Sequence, residues 1–220
     1  MQSTCINSVY LGRVQPMPDD GRPTAIFKQP VTTVVDVGPE GLIGDTQADL
    51  RVHGGLEKAV HHFPARNLER LRAQFPDIAA QLVPGCMGEN FSTDAWDEAE
   101  VCIGDIFRAG TVLLQLGQPR SPCWKIDARH GVDGMAQFIE REGIAGWYYR
   151  VIERGQVRAG DAITLVERNT DPVSLRAFWD LRALHRPSAA QMQRVIETPG
   201  LAPERRQRLQ RRLEWLQQNA

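Results

Sequence analysis

Residues 100–126, EVCIGDIFRAGTVLLQLGQPRSPCWKI, join a β-rich run to a single cysteine. Apolar and β-branched residues occupy most of positions 111–116, which is typical of a strand, and Gly and Asp bound the run. Pro119 and Pro122 then restrict the backbone ahead of Cys123. The stretch therefore predicts a strand that ends in a stiff loop, and the loop presents one thiol.

Similar β-rich runs, bounded by Gly, Pro and Asp, recur through the first two-thirds of the chain. Two of them, IGDIFRAG and AGDAITLV, place a Gly-Asp turn directly before a strand, which suits a curled or closed sheet of short segments. Helical spacing interrupts the strands in PARNLERLRAQF and DGMAQFIEREG. The predicted fold class is α+β, mainly β, with a barrel-like sheet and peripheral helices.

The residue pattern changes at Asp171, and almost no strand is predicted after it. Three helices are predicted over 173–184, 188–197 and 203–217, and each has a proline at or near its start. We therefore expect a domain at 1–170 and a three-helix module at 171–220. Arginines surround the apolar stripe of the last helix; a solvated surface is favoured there over a face for nucleic acid or a partner.

Composition excludes several classes of function. The chain has 26 Lys and Arg against 27 Asp and Glu, so no basic surplus points to nucleic acid or an anionic membrane. No apolar run approaches the roughly 20 residues of a membrane span, and the first residues do not resemble a signal peptide, which predicts a cytoplasmic protein. The 4 cysteines form no C-x-x-C pair, so neither disulfides nor an iron–sulfur cluster are expected.

Cys123 lies within three residues of Arg120 and Lys125. Nearby cations favour the thiolate, the form of cysteine that attacks electrophiles and binds metals. A free cysteine is also a common buried apolar residue. The stretch alone leaves both interpretations open, whereas the other three cysteines are assigned to packing.

Three of the five histidines, His53, His61 and His62, surround a Gly-Gly pair and Lys58. Adjacent glycines allow backbone N–H groups to approach a ligand closely, and a lysine adds a charge suited to phosphate. If residues 60–62 form a strand, His61 and His62 face opposite ways. An anion-binding loop is therefore favoured over a zinc site.

A third stretch, MGENFSTDAW, carries short polar side chains in a turn that begins with glycine. Glu89, Asn90, Ser92 and Thr93 could fix a polar ligand, although such turns are common. The stretch is informative only because it follows residues 52–64 (VHGGLEKAVHHFP, the H-G-G segment) and precedes the loop that carries Cys123.

In that order, VHGGLEKAVHHFP, GENFSTDAW, GDIFRAG and QPRSPCWKI resemble the MOSC domain, named for the C-terminal region of molybdenum cofactor sulfurases. The resemblance covers about residues 10–168 and is strongest to bacterial stand-alone MOSC proteins of the 6-N-hydroxylaminopurine-resistance type. Those proteins also carry a C-terminal three-helix module. The order and spacing of the motifs make this resemblance specific.

The resemblance implies a barrel-like MOSC fold that binds the molybdenum cofactor. It implies that Cys123 is the catalytic residue and the thiolate ligand of molybdenum, in keeping with the softness of sulfur. It also implies a set of residues that hold the pterin or phosphate part of the cofactor: His53, Lys58, His62, Asn90, Arg120 and Ser121.

The implied reaction is removal of oxygen from N-hydroxylated small molecules, such as 6-N-hydroxylaminopurine and by extension amidoximes, which detoxifies mutagenic base analogues. His53 or His62 would supply protons. Electrons would come from a separate flavin or iron–sulfur reductase, because no such signature follows Asp171. A cofactor or sulfur carrier and a hydrolase with a cysteine nucleophile are the alternatives, and a homo-oligomer stays open.

Overall fold

A curled sheet of short strands forms the centre of the molecule. The computed structural model describes residues 2–219, and its strands are Ser3–Cys5 (β1), Ser8–Leu11 (β2), Gln15–Pro16 (β3), Pro23–Thr24 (β4), Gln29–Val31 (β5), Val35–Gly38 (β6), Gly41–Leu42 (β7), Val60–His62 (β8), Phe91–Ser92 (β9), Ile106–Ala109 (β10), Val112–Pro119 (β11), Trp147–Glu153 (β12), Gly155–Val157 (β13) and Ala162–Glu167 (β14). The main sheet has the order β1-β14-β10-β11-β12-β8-β9-β2-β5. Its pairs are antiparallel except β8 with β9. Two small sheets, β13-β6-β7 and the hairpin β3-β4, flank it.

The predicted strand before the cysteine is β11, and it forms a hairpin with β10. Ala109 pairs with Val112, so the connection has only two residues, Gly110 and Thr111. Gly110 has φ +56°, and a Cβ there would lie 2.5 Å from the Gln156 carbonyl oxygen. Two-residue hairpin turns need such positive φ values, which glycine adopts without strain. The hairpin fixes the register in which β11 runs toward the cysteine loop.

The helices lie around the sheet and after it. They are Leu50–His53 (α1), Arg66–Gln74 (α2), Lys125–His130 (α3), Met135–Glu142 (α4), Leu175–Ala183 (α5), Ala189–Glu197 (α6) and Pro203–Gln218 (α7), with 3-10 turns at Leu56–Lys58 and Pro76–Gln81. The last three agree with the predicted C-terminal helices, and a capping box of Ser188 and Gln191 starts α6. None of the helices in residues 2–219 is long and apolar enough to cross a bilayer.

Two apolar clusters make up the core. The larger one fills the inside of the curled sheet around Phe107 and Trp147, and it continues into the C-terminal helices through Phe178 and Ile196. The smaller one packs α2 and α4 together and includes Ile126 of α3. The α+β fold class with a curled sheet is confirmed, and β1 and β5 end the sheet order, so this sheet is curled rather than closed. The domain boundary after residue 170 stays a prediction.

Candidate functional site

The strand β8 separates two chemically different faces through its adjacent histidines. His62 faces the core, where its ring lies 4.5 Å from that of Trp147. Its Nδ1 is 3.1 Å from the Tyr149 hydroxyl and its Nε2 is 2.9 Å from the Thr93 hydroxyl. Burial lowers the pKa of His62 to about 3. His62 is therefore a neutral core residue, and the prediction that it binds a ligand or supplies protons near neutral pH does not agree with this position.

The opposite face of the strand opens on a cleft of about 580 Å³, including its mouth. His61 lies on this face, next to the ring of Tyr148 on β12 at 5.1 Å. The polar and sulfur-bearing side chains that line the cleft include Lys28, Asp45, His53, Lys58, His61, Asn90, Arg120, Cys123, Lys125 and Tyr148.

Two buried nitrogen atoms of these lining residues have no hydrogen-bond partner, Arg120 Nη1 and His61 Nε2. Arg120 follows β11 and is 6% exposed, and its backbone N–H donates to the Gly146 carbonyl at 3.0 Å. Burial, and after it the charge of Arg120, holds the pKa of His61 well below its usual value. An unsatisfied buried donor is unfavourable, so Arg120 Nη1 is suited to a ligand that offers an acceptor atom. His61 Nε2 donates or accepts according to the tautomer of its neutral ring.

Cys123 reaches the cleft from the loop between β11 and α3. Its Sγ lies 3.8 Å from His53 Nε2 at the end of α1. Burial, together with the charges of Lys125 and Arg120, lowers the pKa of His53, so its ring is neutral at pH 7. Cys123 is half-buried, whereas Cys86 and Cys102 are buried. The structure thus places one accessible thiol beside a neutral imidazole in the cleft.

The remaining residues of the predicted set have different environments. Lys58 lines the cleft, and its Nζ donates to the Val52 carbonyl at 2.8 Å. The Asn90 amide also lines the cleft, but its nitrogen donates to Asp45 at 2.9 Å and its oxygen accepts from the His61 backbone N–H at 3.0 Å. Asn90 therefore shapes the wall with bonds inside the protein.

Ser121 does not line the cleft. Its hydroxyl accepts a hydrogen bond from Arg205 Nη2 at 2.7 Å. The structure thus brings His53, Lys58, Asn90, Arg120 and Cys123 together, and leaves Ser121 and His62 outside. The assignment of these residues to cofactor binding stays a prediction.

Several residues that line the cleft were not identified by any sequence motif. Lys28 and Asp45 form a buried ion pair of 2.7 Å, with side chains 8% and 2% exposed. Burial lowers the pKa of Lys28, although Asp45 opposes that shift. The alternation of residues along β8 and β12 would have found His61 and Tyr148, but Lys28 comes from a loop with no such pattern.

The charged side chains of the cleft determine which ligands it attracts. Among its described lining residues, four cations, Lys28, Lys58, Arg120 and Lys125, face the single carboxylate of Asp45. A concave surface with such an excess concentrates anions. The cleft is therefore suited to an anionic ligand that also offers a partner to a thiol.

Comparison with known proteins shows which family and fold the chain resembles. A family model for the MOSC domain matches residues 49–164. Protein YiiM of Escherichia coli (strain K12) is 37% identical over 205 residues, which cover 93% of this chain and 90% of that protein. A Gibberella moniliformis protein named "Reductase" is 37% identical over 146 residues, 66% of this chain and 26% of that protein. The crystal structure of YiiM from Geobacillus stearothermophilus matches with a TM-score of 0.80 at 28% identity, covering 96% of this chain and 100% of that one.

Proposed function

The chain belongs to the MOSC domain family, as its motifs predicted, and from that premise we propose a reductase of N-hydroxylated small molecules that depends on the molybdenum cofactor. Membership of the family supports a role associated with that cofactor, and the relative named as a reductase favours an oxidoreductase. The observation that carries the proposal is the accessible Cys123 thiol at a cleft where the cationic Arg120 has an unpartnered donor, Nη1.

The residues of the cleft fit the cofactor. Its phosphate is an anion, and the free Nη1 of Arg120 is a charged donor of the kind that binds phosphate well. Its pterin offers donors and acceptors at the ring edge, which suit the unpartnered His61 Nε2. Molybdenum prefers soft sulfur ligands, and among the cleft-lining residues the thiol is that of Cys123. Lys58 and Lys125 add positive charge along the wall.

When bound, the cofactor would supply the two-electron redox chemistry that converts an N–OH group to N–H and water. The chain would supply position and protons. The loop after β11 would hold the Cys123 sulfur as the metal ligand, and His53 Nε2, at 3.8 Å, would accept the thiol proton as the sulfur becomes a thiolate. The aliphatic and aromatic wall, including Ile26 and Tyr148, would keep bulk water from the reacting group.

The substrate class follows from the resemblance to the 6-N-hydroxylaminopurine-resistance type. We expect 6-N-hydroxylaminopurine to be reduced to adenine, and amidoximes to amidines. Two electrons and two protons are needed for each molecule. A separate flavin or iron–sulfur protein would supply the electrons.

The test is metal and pterin analysis of protein made in a host that assembles the cofactor, followed by reduction of 6-N-hydroxylaminopurine with an artificial electron donor. Wild type should contain molybdenum and pterin and form adenine. Cys123→Ser should reduce turnover by at least about 100-fold, because loss of a metal ligand affects both metal and rate. Cys5→Ser is the matched control, since Cys5 is an exposed thiol on β1 outside the cleft.

Equal molybdenum and equal turnover in Cys123→Ser and wild type would refute the ligand assignment. Bound cofactor without turnover, with a persulfide on Cys123, would instead support a carrier of cofactor or sulfur. Hydrolytic turnover in metal-free protein would support a cysteine nucleophile.

A further inference from the structure

The C-terminal helix α7 sends one buried arginine toward the cysteine loop, defined as residues 119–124. Arg205 is 8% exposed and lies in the first turn of α7. We propose that Arg205 is a positioning residue, through which α7 holds the cysteine loop in place against the cleft. The proposal rests on the proposed function only in regarding Cys123 as a metal ligand.

The guanidinium donates to three acceptors that are close together in sequence. Arg205 Nε lies 2.9 Å from the Gln118 side-chain oxygen. Its Nη2 lies 2.7 Å from the Ser121 hydroxyl and 3.4 Å from the Pro119 carbonyl. These acceptors bracket the end of β11 and the start of the loop. One planar group therefore fixes the direction in which the chain leaves the sheet.

The setting is unusual for a buried cation. Within residues 2–219, no carboxylate lies within 4.0 Å of Arg205, and its three acceptors are neutral. Burial, and then the charges of Arg182 and Arg208, lowers the pKa of Arg205 to about 10. A buried charge with neutral partners is costly to desolvate. The contacts of Arg205 therefore indicate that its role is to hold the cysteine loop in position.

The loop needs such support because of its prolines. Pro119 and Pro122 have no N–H, so this segment has fewer backbone donors than an ordinary loop. The Arg120 N–H donates to the Gly146 carbonyl at 3.0 Å. Arg205 donates to the Pro119 carbonyl and the Ser121 hydroxyl of the same segment. The two contacts together clamp the residues that precede Cys123.

A second set of contacts joins the same helix to the H-G-G segment. Gln118, which accepts from Arg205, donates to the Glu57 carbonyl at 3.1 Å. Glu204, next to Arg205, lies 3.7 Å from Lys58 Nζ. The start of α7 thus contacts two of the segments that line the cleft, and this helix is part of the architecture of the site.

The test compares two arginines of α7. Arg205→Met removes the donors to the loop with little change in volume. Arg206→Met is the matched control, because Arg206 donates to the Ile196 and Thr198 carbonyls inside the C-terminal helices and not to the loop. Arg205→Lys keeps the charge, but it cannot bridge three acceptors as a planar fork does.

The readout is Cys123 in cofactor-free protein. The rate of alkylation by iodoacetamide is measured by mass spectrometry, with the exposed Cys5 as the internal reference. Hydrogen exchange of the Arg120 amide is measured in parallel. We expect both rates to rise at least about threefold in Arg205→Met, because local opening of the loop exposes it. Arg206→Met should keep wild-type rates, and Arg205→Lys should lie between.

Wild-type rates in folded Arg205→Met would overturn the proposal, and so would equal increases in Arg205→Met and Arg206→Met, which would indicate general loosening of the helices. If Arg205→Met does not fold, Ser121→Ala removes one acceptor and should raise the Cys123 alkylation rate and the Arg120 exchange rate, with the Cys5 rate unchanged. None of these measurements uses molybdenum or turnover. Failure of the proposed reductase activity would therefore leave the positioning role standing, and the reverse also holds.

Discussion

The two faces of the strands β8 and β12 differ more than their sequences suggest. On the core face, His62 pairs with Trp147, and both ring nitrogens of the histidine have a partner. On the cleft face, one residue away, His61 pairs with Tyr148, and His61 Nε2 has none. The same strand therefore supplies a satisfied polar group to the core and an unsatisfied one to the cleft.

The comparison shows that the cleft face contains polar groups that lower the stability of the folded protein. A folded protein normally satisfies its buried polar groups, and His62 on the core face obeys that rule, although Nε1 of the neighbouring Trp147 has no partner among the described residues. The cleft face keeps Arg120 Nη1 and His61 Nε2 without partners while it gathers cations around them. Such an arrangement is unfavourable in the free protein and favourable once an anionic ligand is present. Substitutions on the core face should therefore reduce stability, and those on the cleft face should reduce binding.

The largest expected effect comes from Trp147→Ala on the core face. Trp147 is fully buried, with 0% exposure, and truncation of a buried aromatic residue to alanine lowers the free energy of unfolding by about 3–5 kcal/mol. Urea denaturation at pH 7.5 measures the loss. Tyr148→Phe, on the next residue and the other face, is the control and should change stability by less than about 1 kcal/mol. Equal losses in the two variants would remove the distinction between the faces.

The sequence predicts the core face better than the cleft face, for a physical reason. Strand alternation, Gly-bounded turns and apolar spacing are local, so they located β11, α2, α4 and the three C-terminal helices. The alternation of side chains along a strand also predicted that His61 and His62 point to opposite faces. It did not say which of them faces the cleft, because that depends on how the sheet curls and on what covers each side.

Residues from distant segments explain what the sequence analysis missed at the site. Lys28 and Asp45 come from two loops, and only the folded chain brings them to 2.7 Å. The family resemblance placed Cys123, Arg120, His53 and Lys58, all of which line the cleft. It did not indicate Arg205, because that residue lies outside the motifs and acts across 84 positions of sequence.

The next largest effect should be a loss of unfolding free energy on acidification, caused by the protonation of His62. Its pKa in the folded protein is about 3, below the unfolded value of about 6.5, so the unfolded state binds more protons between these two limits. Stability from this group is therefore complete above about pH 6.5 and falls as the pH decreases toward 3. His62→Gln lacks this titration. Between pH 7.5 and 5, wild type should lose about 2 kcal/mol more of its unfolding free energy than the variant does.

Urea denaturation at the two pH values measures that difference, and the comparison with His62→Gln removes the contribution of the other titrating groups. His61→Gln gives the matching measurement for the cleft face, whose histidine pKa is also lowered by burial. Parallel pH profiles for wild type and His62→Gln would contradict the neutral, buried state of His62.

Arg120→Met tests the cleft face directly. Sulfate, a phosphate mimic, should bind wild type and raise its melting temperature, because the free Nη1 of Arg120 is a charged donor. The variant should bind sulfate about 10- to 100-fold more weakly, since a hydrogen bond to a charged group contributes about 1.5–3 kcal/mol. Without anion, the variant should be as stable as wild type or more stable. Titration calorimetry measures the affinity, and equal sulfate binding in the two proteins would contradict an anion site at Arg120.

The smallest effect should come from Tyr149→Phe, which makes the core face resemble the cleft face. The Tyr149 hydroxyl lies 3.1 Å from His62 Nδ1, and its removal leaves that nitrogen without its partner, as His61 Nε2 is left on the other side. The net loss of a hydrogen bond should lower the unfolding free energy by about 1 kcal/mol. A double-mutant cycle with His62→Gln should give a coupling of about 0.5–1 kcal/mol for the pair. Zero coupling would mean that Trp147 and Thr93 alone hold His62, and would contradict a stabilising bond from Tyr149.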